Sequence, residues 1–542
     1  MVSRRRAVVA GLAAAAVAVG LGELVAVWTG PRSAPLIAVG GVVVDAVPEP
    51  VKAFAISVFG VYDKIALLVG TALLLAVFAA LVGLAARRDF RWGVAGIALF
   101  GLIGAAAALT RPNAGPAAVL PSLLGAAAAV AVLHLLLRAA AAAEGVPEAA
   151  PAAPAARTPD QAASPQLAPD PVATAHGGPA GADRTAREAG RRRFLRLSVA
   201  GFGAAAVVGF LGRTLSARQG VQQARAEVKL PAPASPAPPL PDTVNPPVNG
   251  LSEFVTPNDV FYRIDTALVV PQVDPAAWQL RIHGRVARPL TLTYEQLLAR
   301  PMIERYVTLA CVSNEVGGDL IGNARWLGVP LKDLLAEAGP LDGADQVVSR
   351  SADGWTCGTP TAALRDGRDA MLAVAMNGEP LPVEHGFPVR MVVPGLYGYV
   401  SATKWVTELE LSSFADFDAY WVRRGWAAQG PIKTESRIDT PRDGGTVDAG
   451  TVVVAGVAWA QHRGVTAVEV RVDDGPWQPA DPAGTVSPDT WRQWTFRWDA
   501  TPGPHTLAVR AADSTGQLQP ETRLDPFPDG ATGWHTISVQ VR

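Results

Sequence analysis

Apolar residues fall into long unbroken runs in the first part of the chain and into short alternating ones further on. Residues 7–28, 65–86, 92–110 and 117–137 are apolar almost throughout. Each run is long enough to cross the hydrocarbon of a bilayer as a helix. Residues 52–62 are also apolar, and either lengthen the second helix or lie at the interface. From 139 to 190 the chain changes to Ala, Pro, Gly and polar residues with almost no large side chains. Such a segment cannot bury enough surface to fold. A fifth apolar run, 197–212, follows, and then a Pro-rich stretch over 230–247. The pattern predicts a four-helix membrane region over 1–138, a disordered cytoplasmic linker over 139–190, a fifth helix over 191–213 and an extended tether over 214–250. Beyond 251 the period shortens. Residues 278–283 alternate as a strand closed by Gly284, and 294–298 read as a short helix. From 430 to 542, short alternating runs such as 467–472 and 505–510, with a turn at Asp473-Asp474-Gly475, predict an immunoglobulin-like sandwich.

Charge orients the first half. Arg4, Arg5, Arg6, Arg87, Arg88, Arg91 and Arg138 share one side if the helices alternate, and their excess marks that side as cytoplasmic. Gly190-Arg191-Arg192-Arg193-Phe194-Leu195-Arg196 resembles the twin-arginine export motif, with Gly190 where Ser or Thr is usual. Five crossings place everything after Arg213 outside the cytoplasm. A formal net charge of -1 gives no broad basic field for nucleic acid. The chain has two cysteines and no C-x-x-C, so neither an iron–sulfur cluster nor an attached haem is expected within it. His134 is the only histidine before His176, which argues against a bis-histidine haem among the helices.

The candidate chemistry centres on Cys311. It ends an apolar β-like run and opens the Gly-rich stretch Val312-Ser313-Asn314-Glu315-Val316-Gly317-Gly318. A thiolate there could be a soft metal ligand or a nucleophile. The stretch resembles the molybdenum-binding segment of the sulfite oxidase family of molybdopterin oxidoreductases, in which the cysteine supplies a thiolate to molybdenum. A second block matches that family as well: Asn377-Gly378-Glu379-Pro380-Leu381-Pro382, His385-Gly386-Phe387-Pro388-Val389-Arg390, Val393-Pro394-Gly395 and Lys404-Trp405. The resemblance implies an α+β molybdopterin domain over 251–425 and makes the sandwich a dimerisation-type domain. It implies pterin contacts from Asn258, Phe261, Tyr262, Arg263, Asp265, Ser351, Thr359, His385, Arg390, Ala402, Thr403 and Lys404. Arg390 and Lys404 offer a fork and a point charge for the cofactor's phosphate. Cys311, Arg263 and Trp355 are the expected catalytic set.

Three departures from the family bear on substrate. Val316 stands where sulfite oxidases have an arginine, Trp355 where they have a tyrosine, and Ile264-Asp265 where animal enzymes have Asn and His. Sulfite is a small dianion and needs several fixed donors. The departures lean away from sulfite itself but leave the cofactor in place, so the expectation is a membrane-anchored, extracytoplasmic, sulfite-oxidase-like oxygen-atom-transfer enzyme with Mo-molybdopterin, acting on a small oxyanion or a sulfoxide-type substrate. Reduction of a sulfoxide or N-oxide on the same fold is the alternative, and a non-catalytic scaffold is the alternative from another class. Electrons would pass through a separate haem or quinone-linked partner, and a homodimer is expected through the sandwich.

Overall fold

The computed structural model describes residues 2–47, 51, 63–111, 114–144, 179–218 and 221–542. The chain forms two compact units, Met1–Gln219 and Gly220–Arg542.

The first unit is helical. Its elements are α1 (Arg4–Thr29), α2 (Pro35–Ala46), α3 (Asp63–Arg88), α4 (Phe90–Leu109), α5 (Leu120–Ala143) and α6 (Pro179–Arg218). Five segments are long and apolar enough to cross a membrane: Arg4–Thr29, Ile65–Arg88, Phe90–Leu109, Pro116–Ala143 and Glu188–Phe210. Large apolar side chains such as Leu74, Leu102 and Val199 point outward, as lipid-facing positions do. α1 packs against α3, α5 and α6. It meets α3 where Gly11 lies against the Ala79 carbonyl and Gly83 against that of Ala7, a backbone approach no larger residue would allow.

Three features differ from the sequence expectation. The short helix α2, opened by Pro35 at its first turn, was not anticipated. Both ends of the expected linker are helical: the run of alanines carries α5 to Ala143, and α6 opens at Pro179. Alanine is the strongest helix former, and its smallness misled the reading from composition. The middle of that linker, and the apolar piece 52–62, lie outside the described residues.

The third difference is the tether, which does not hang free. After α7 (Gln222–Glu227) the chain is strapped along the second unit. The Arg225 guanidinium donates to the Pro380 and Leu381 carbonyls and pairs with Glu379 at 2.9 Å. Ser235 bridges Ile303, and Val244 is buried. Prolines lack an N–H, so such a strand can lie on a sheet edge without leaving donors unpaired.

The first part of the second unit contains two sheets. One has the order β2 (Leu290–Thr293), β1 (Gln279–Gly284), β10 (Val406–Ser412), β5 (Gln346–Ser351), β6 (Thr356–Pro360). The other runs β3 (Ile303–Ala310), β4 (Ile321–Pro330), β7 (Met371–Met376), β8 (Glu379–Pro380), with β9 (Arg390–Val392) also paired to β7. Between them, α8 (Tyr294–Leu298) and α9 (Leu331–Ala338) bury Leu297, Leu331, Leu334 and Leu335 in one core. α8 opens on a capping box, Thr293 and Gln296 each bonding the other's backbone N–H.

The last part is the expected sandwich. One sheet orders β11 (Glu435–Thr440), β13 (Gly450–Trp459), β17 (Arg492–Ala500) and β16 (Asp481–Pro482). The facing sheet orders β12 (Gly445–Val447), β19 (His535–Val541), β18 (Gly503–Asp513), β14 (Val465–Val472) and β15 (Gln478–Pro479). Inward residues Val454, Val470, Trp494, Leu507 and Val509 fill the space between. The sandwich also finishes the edge strand β3. The Thr308 N–H donates to the Asp489 carbonyl, its carbonyl accepts from Gln461, and its hydroxyl accepts from the Trp491 N–H.

Candidate active site

Cys311 leaves the end of β3 and is almost fully buried. Its loop is closed at the base by the Cys311 N–H donating to the Leu320 carbonyl at 2.9 Å. Inside the loop, Asn314 Oδ1 accepts from the Leu320 N–H at 2.8 Å. Gly317 turns with φ +80°, its α-carbon against the His535 ring of the sandwich, and the Gly318 carbonyl accepts from Arg437 at 2.7 Å. Burial pushes the Cys311 thiol up, and donation from the Ser313 N–H and hydroxyl pulls it back down. A bound cation would favour the thiolate directly.

The second wall is the irregular segment from Asn258 to Asp265. Phe261 is buried on Gly322, where a side chain would strike its ring, and it meets Trp326 and His385 edge-on at 5.9 and 5.5 Å. Asn258 is held by Asn377 (2.8 Å) and Glu379 (2.5 Å). Its carbonyl takes a hydrogen bond from His385 Nε2 at 2.9 Å, which defines the neutral tautomer. Burial drives the His385 pKa down to about 4, in agreement.

Tyr262 is buried, and the charges of Cys311 and Arg390 both act on its hydroxyl. Arg390 is buried over the Trp326 ring, 4.9 Å from its centre, and donates to the His385 carbonyl at 3.1 Å. Among the described residues no carboxylate pairs with it, and burial lowers its pKa to about 10. A buried guanidinium without an anion is costly unless something anionic arrives. Lys404 stands beside it across Gly386, whose φ of +114° suits only glycine; a Cβ there would lie 3.0 Å from that of Arg390 and 3.1 Å from that of Lys404. The Lys404 ammonium pairs with Asp265 at 2.6 Å, and the Arg263 guanidinium pairs with the same carboxylate oxygen at 2.9 Å.

The structure therefore brings Cys311, Asn258, Phe261, Tyr262, Arg263, Asp265, His385, Arg390 and Lys404 together. Asp265 serves two cations here. Ser351 reaches the same region at the end of β5, where the Ala352 N–H bonds the Trp405 carbonyl. Thr359 and Thr403 are fully buried, with hydroxyls bonded to the Val400 carbonyl and to Ser349. The Ala402 N–H bonds the Gly398 carbonyl, and Trp355 sits half-buried where the β5–β6 hairpin turns. Cys357 is buried, in no disulfide and in contact with the Thr359 hydroxyl, and burial pushes its thiol up to about 11.

Sequence reasoning passed over two groups. The Asn314 amide nitrogen is buried beside Cys311 without a partner. Tyr397 is buried next to Gly398, and the charge of Cys311 acts on its hydroxyl. Neither belongs to a periodic pattern that would single it out.

These residues fit a molybdopterin. They offer one thiolate, an orphaned buried donor, an unpaired buried guanidinium, a lysine beside it, and a glycine where a side chain would close the gap. Among the described residues no group of three or more His, Cys, Asp or Glu is gathered around a common point, so Cys311 would be the sole protein donor to a metal otherwise held by the pterin.

Comparison with known proteins agrees. The family model for the oxidoreductase molybdopterin binding domain matches residues 267–421, and that for a bacterial Ig domain matches 435–509. Mitochondrial sulfite oxidase of Rattus norvegicus is 31% identical over 357 residues, 56% of this chain and 64% of the rat protein. Sulfite oxidase of Gallus gallus is 30% identical over 334 residues, 52% of this chain and 72% of its own. The chain thus spans under two thirds of the length of the mammalian relatives it matches. Among solved structures, the sulfane dehydrogenase SoxCD from Paracoccus pantotrophus shares 27% identity at a TM-score of 0.48, covering 53% of this chain and 82% of that one. With Cys311, the His385–Arg390 turn and Lys404 gathered at one site within the matched region, the chain belongs to the sulfite oxidase family of molybdopterin oxidoreductases.

Proposed function

We propose that the chain is a membrane-anchored oxidoreductase that transfers an oxygen atom at a molybdenum held by the Cys311 thiolate, with the catalytic unit outside the cytoplasm. The buried Arg390, without a carboxylate partner among the described residues and set against Trp326 and His385, carries this reading, since it asks for an anion. When bound, the molybdopterin supplies two-electron metal chemistry. The protein's own contributions follow from the contacts. Ser313 stabilises negative charge on the Cys311 sulfur. Arg390 and Lys404 hold the cofactor's phosphate, one as a fork and one as a point charge. Neutral His385 fixes the Asn258 segment and can accept at Nδ1. Phe261 and Trp326 keep water from beneath the site. Arg263 faces the substrate side, and Trp355 closes it from the β5–β6 turn. The excess of arginine on one side of the helices supports the outward orientation, and Arg191–Arg192 with Phe194-Leu195 support twin-arginine export. Electrons pass to or from a separate haem or quinone-linked partner, and the sandwich offers a dimer contact.

Molybdenum and pterin, measured in the protein matured with export and cofactor synthesis intact, test this. About one metal per chain is expected, with its absorption and paramagnetic signals altered in Cys311→Ala. Folded, correctly matured protein without metal would leave only a scaffold.

A further inference from the structure

We infer that the first ten residues of the strap, 221–230, are a working part of the cofactor pocket, and that Arg225 is a positioning residue that sets how firmly the pocket keeps its pterin. This rests on the oxygen-transfer reading above and concerns retention of the group that reading requires.

The strap reaches the pocket in two ways. Val221 is buried in the same apolar cluster as Phe261, Trp326, Leu381 and Phe387, and Val228 packs against that cluster. Phe261 and Trp326 are the rings on which His385 and Arg390 rest, at 5.5 and 4.9 Å. Arg225 lies one helical turn further on, its N–H bonded to the Val221 carbonyl at 2.7 Å. Its Nε donates to the Leu381 carbonyl at 2.8 Å, and its Nη2 donates to the Pro380 carbonyl at 2.6 Å and to Glu379 at 2.9 Å. Pro382 and the turn Val383–His385 follow directly, the His385 N–H bonding the Pro382 carbonyl at 3.0 Å. Arg225 therefore grips the backbone that presents His385.

Glu379 passes the grip to the opposite wall. Its other oxygen accepts from the Asn258 amide at 2.5 Å, and the Asn258 carbonyl takes the bond from His385 Nε2 at 2.9 Å. Arg225, Glu379, Asn258 and His385 thus form one continuous chain of hydrogen bonds, and the His385 carbonyl carries it to Arg390 at 3.1 Å. Half of the Glu379 side chain is exposed, so its ion pair alone contributes little. The two carbonyl bonds matter more, because the Arg225 side chain is mostly buried and they pin the turn itself. Further along, the strap is plain fastening. Ala234 bonds the Met302 carbonyl and Ser235 bonds Arg305, at the end of β3 opposite Cys311. Among the contacts of the strap, those of Val221, Arg225 and Val228 are the ones that converge on the pocket. Gln219 and Gly220 alone separate Val221 from the end of α6, so the chain that leaves the fifth long helix runs straight into this clasp.

The test uses the full chain, matured with export and cofactor synthesis intact, beside Arg225→Met, Arg225→Lys and Ser235→Ala. Molybdenum and pterin per chain are followed over time in cofactor-free buffer. Hydrogen exchange over 258–262 and 379–385 is read in protein made without cofactor, and melting curves confirm that each variant is intact. Expected is loss of metal and pterin about tenfold faster in Arg225→Met, with faster exchange in both segments. Arg225→Lys restores the charge without the fork and should recover part of each, and it carries the comparison where the methionine variant does not accumulate. Ser235→Ala should leave retention and exchange as in wild type. An intact Arg225 variant with wild-type retention, or a Ser235→Ala variant that loses cofactor as fast as Arg225→Met, overturns this inference alone. Folded wild-type protein without metal overturns the oxygen-transfer reading, and this inference with it.

Discussion

Replacing Arg390 with methionine should push stability and cofactor retention in opposite directions. The guanidinium is buried, and its pKa is drawn down to about 10. That displacement from the ordinary value corresponds to ~3 kcal/mol against the charged form in the fold. The Trp326 ring at 4.9 Å offsets ~1 kcal/mol of this. The hydrogen bond to the His385 carbonyl offsets about another 1 kcal/mol. Roughly 1 kcal/mol remains uncompensated, so in protein made without cofactor, Arg390→Met should be neutral or stabilising by about that amount. If Arg390 holds the cofactor's phosphate as proposed, the same change in cofactor-loaded protein should remove charge-assisted bonds worth ~2–3 kcal/mol, close to 100-fold in retention. The assay pairs urea unfolding of cofactor-free protein with molybdenum per chain after gel filtration. A variant that keeps its metal, or a cofactor-free form weakened by more than ~2 kcal/mol, would refute the reasoning.

Three further outcomes are expected. Gly386→Ala forces a side chain into φ +114° against Arg390 and Lys404, and should lower stability by ~1–3 kcal/mol; an unchanged melting temperature would contradict the packing described. His385 and His535 are both held near about 4 by burial, so the unfolded chain binds protons near 6.5 before the folded one does. Stability should therefore fall as pH drops from 6.5 towards 4, by ~2 kcal/mol per histidine at pH 5, and equal urea midpoints at pH 7 and 5 would refute it. Glu435 has the opposite sign: its folded pKa of about 8 lies above the usual 4.5, so the fold loses stability as pH rises through that interval. Glu435→Gln should melt higher than wild type at pH 8 and no higher at pH 5.

Much of the site was legible because its residues sit in contiguous motifs. Cys311 ends a strand whose alternation is visible, and His385, Arg390 and Lys404 lie within a run whose glycines and prolines mark tight turns. The part that escaped depends on distant contacts. Asp265 is expected as a pterin contact, and only the fold shows it gripping Lys404 139 residues away. Thr359 and Thr403 read as polar contacts, yet the fold buries both hydroxyls in its own hydrogen bonds. Lys433 carries no motif, and its N–H meets the Tyr397 hydroxyl only because residues 395–397 lie against 430–432. At the fold level, apolar run length gave the five long helices directly. It was silent on the tether, because Pro-rich composition reports stiffness and says nothing of what the strand lies against.

The loop that carries Cys311 also has a place in the order of synthesis. Its Gly318 carbonyl is bonded by Arg437, its Gly317 rests on His535, and Thr308, near the end of β3 that leads into the loop, is closed by residues 461, 489 and 491. All of these leave the ribosome long after Cys311 does, and His535 is among the last residues of the chain. A nascent chain halted before the sandwich would present the cysteine on an unfinished loop beside an open strand edge. On the proposed role of Cys311, a finished metal site then waits on synthesis of the sandwich, and a stop before His535 would leave the loop without its supports.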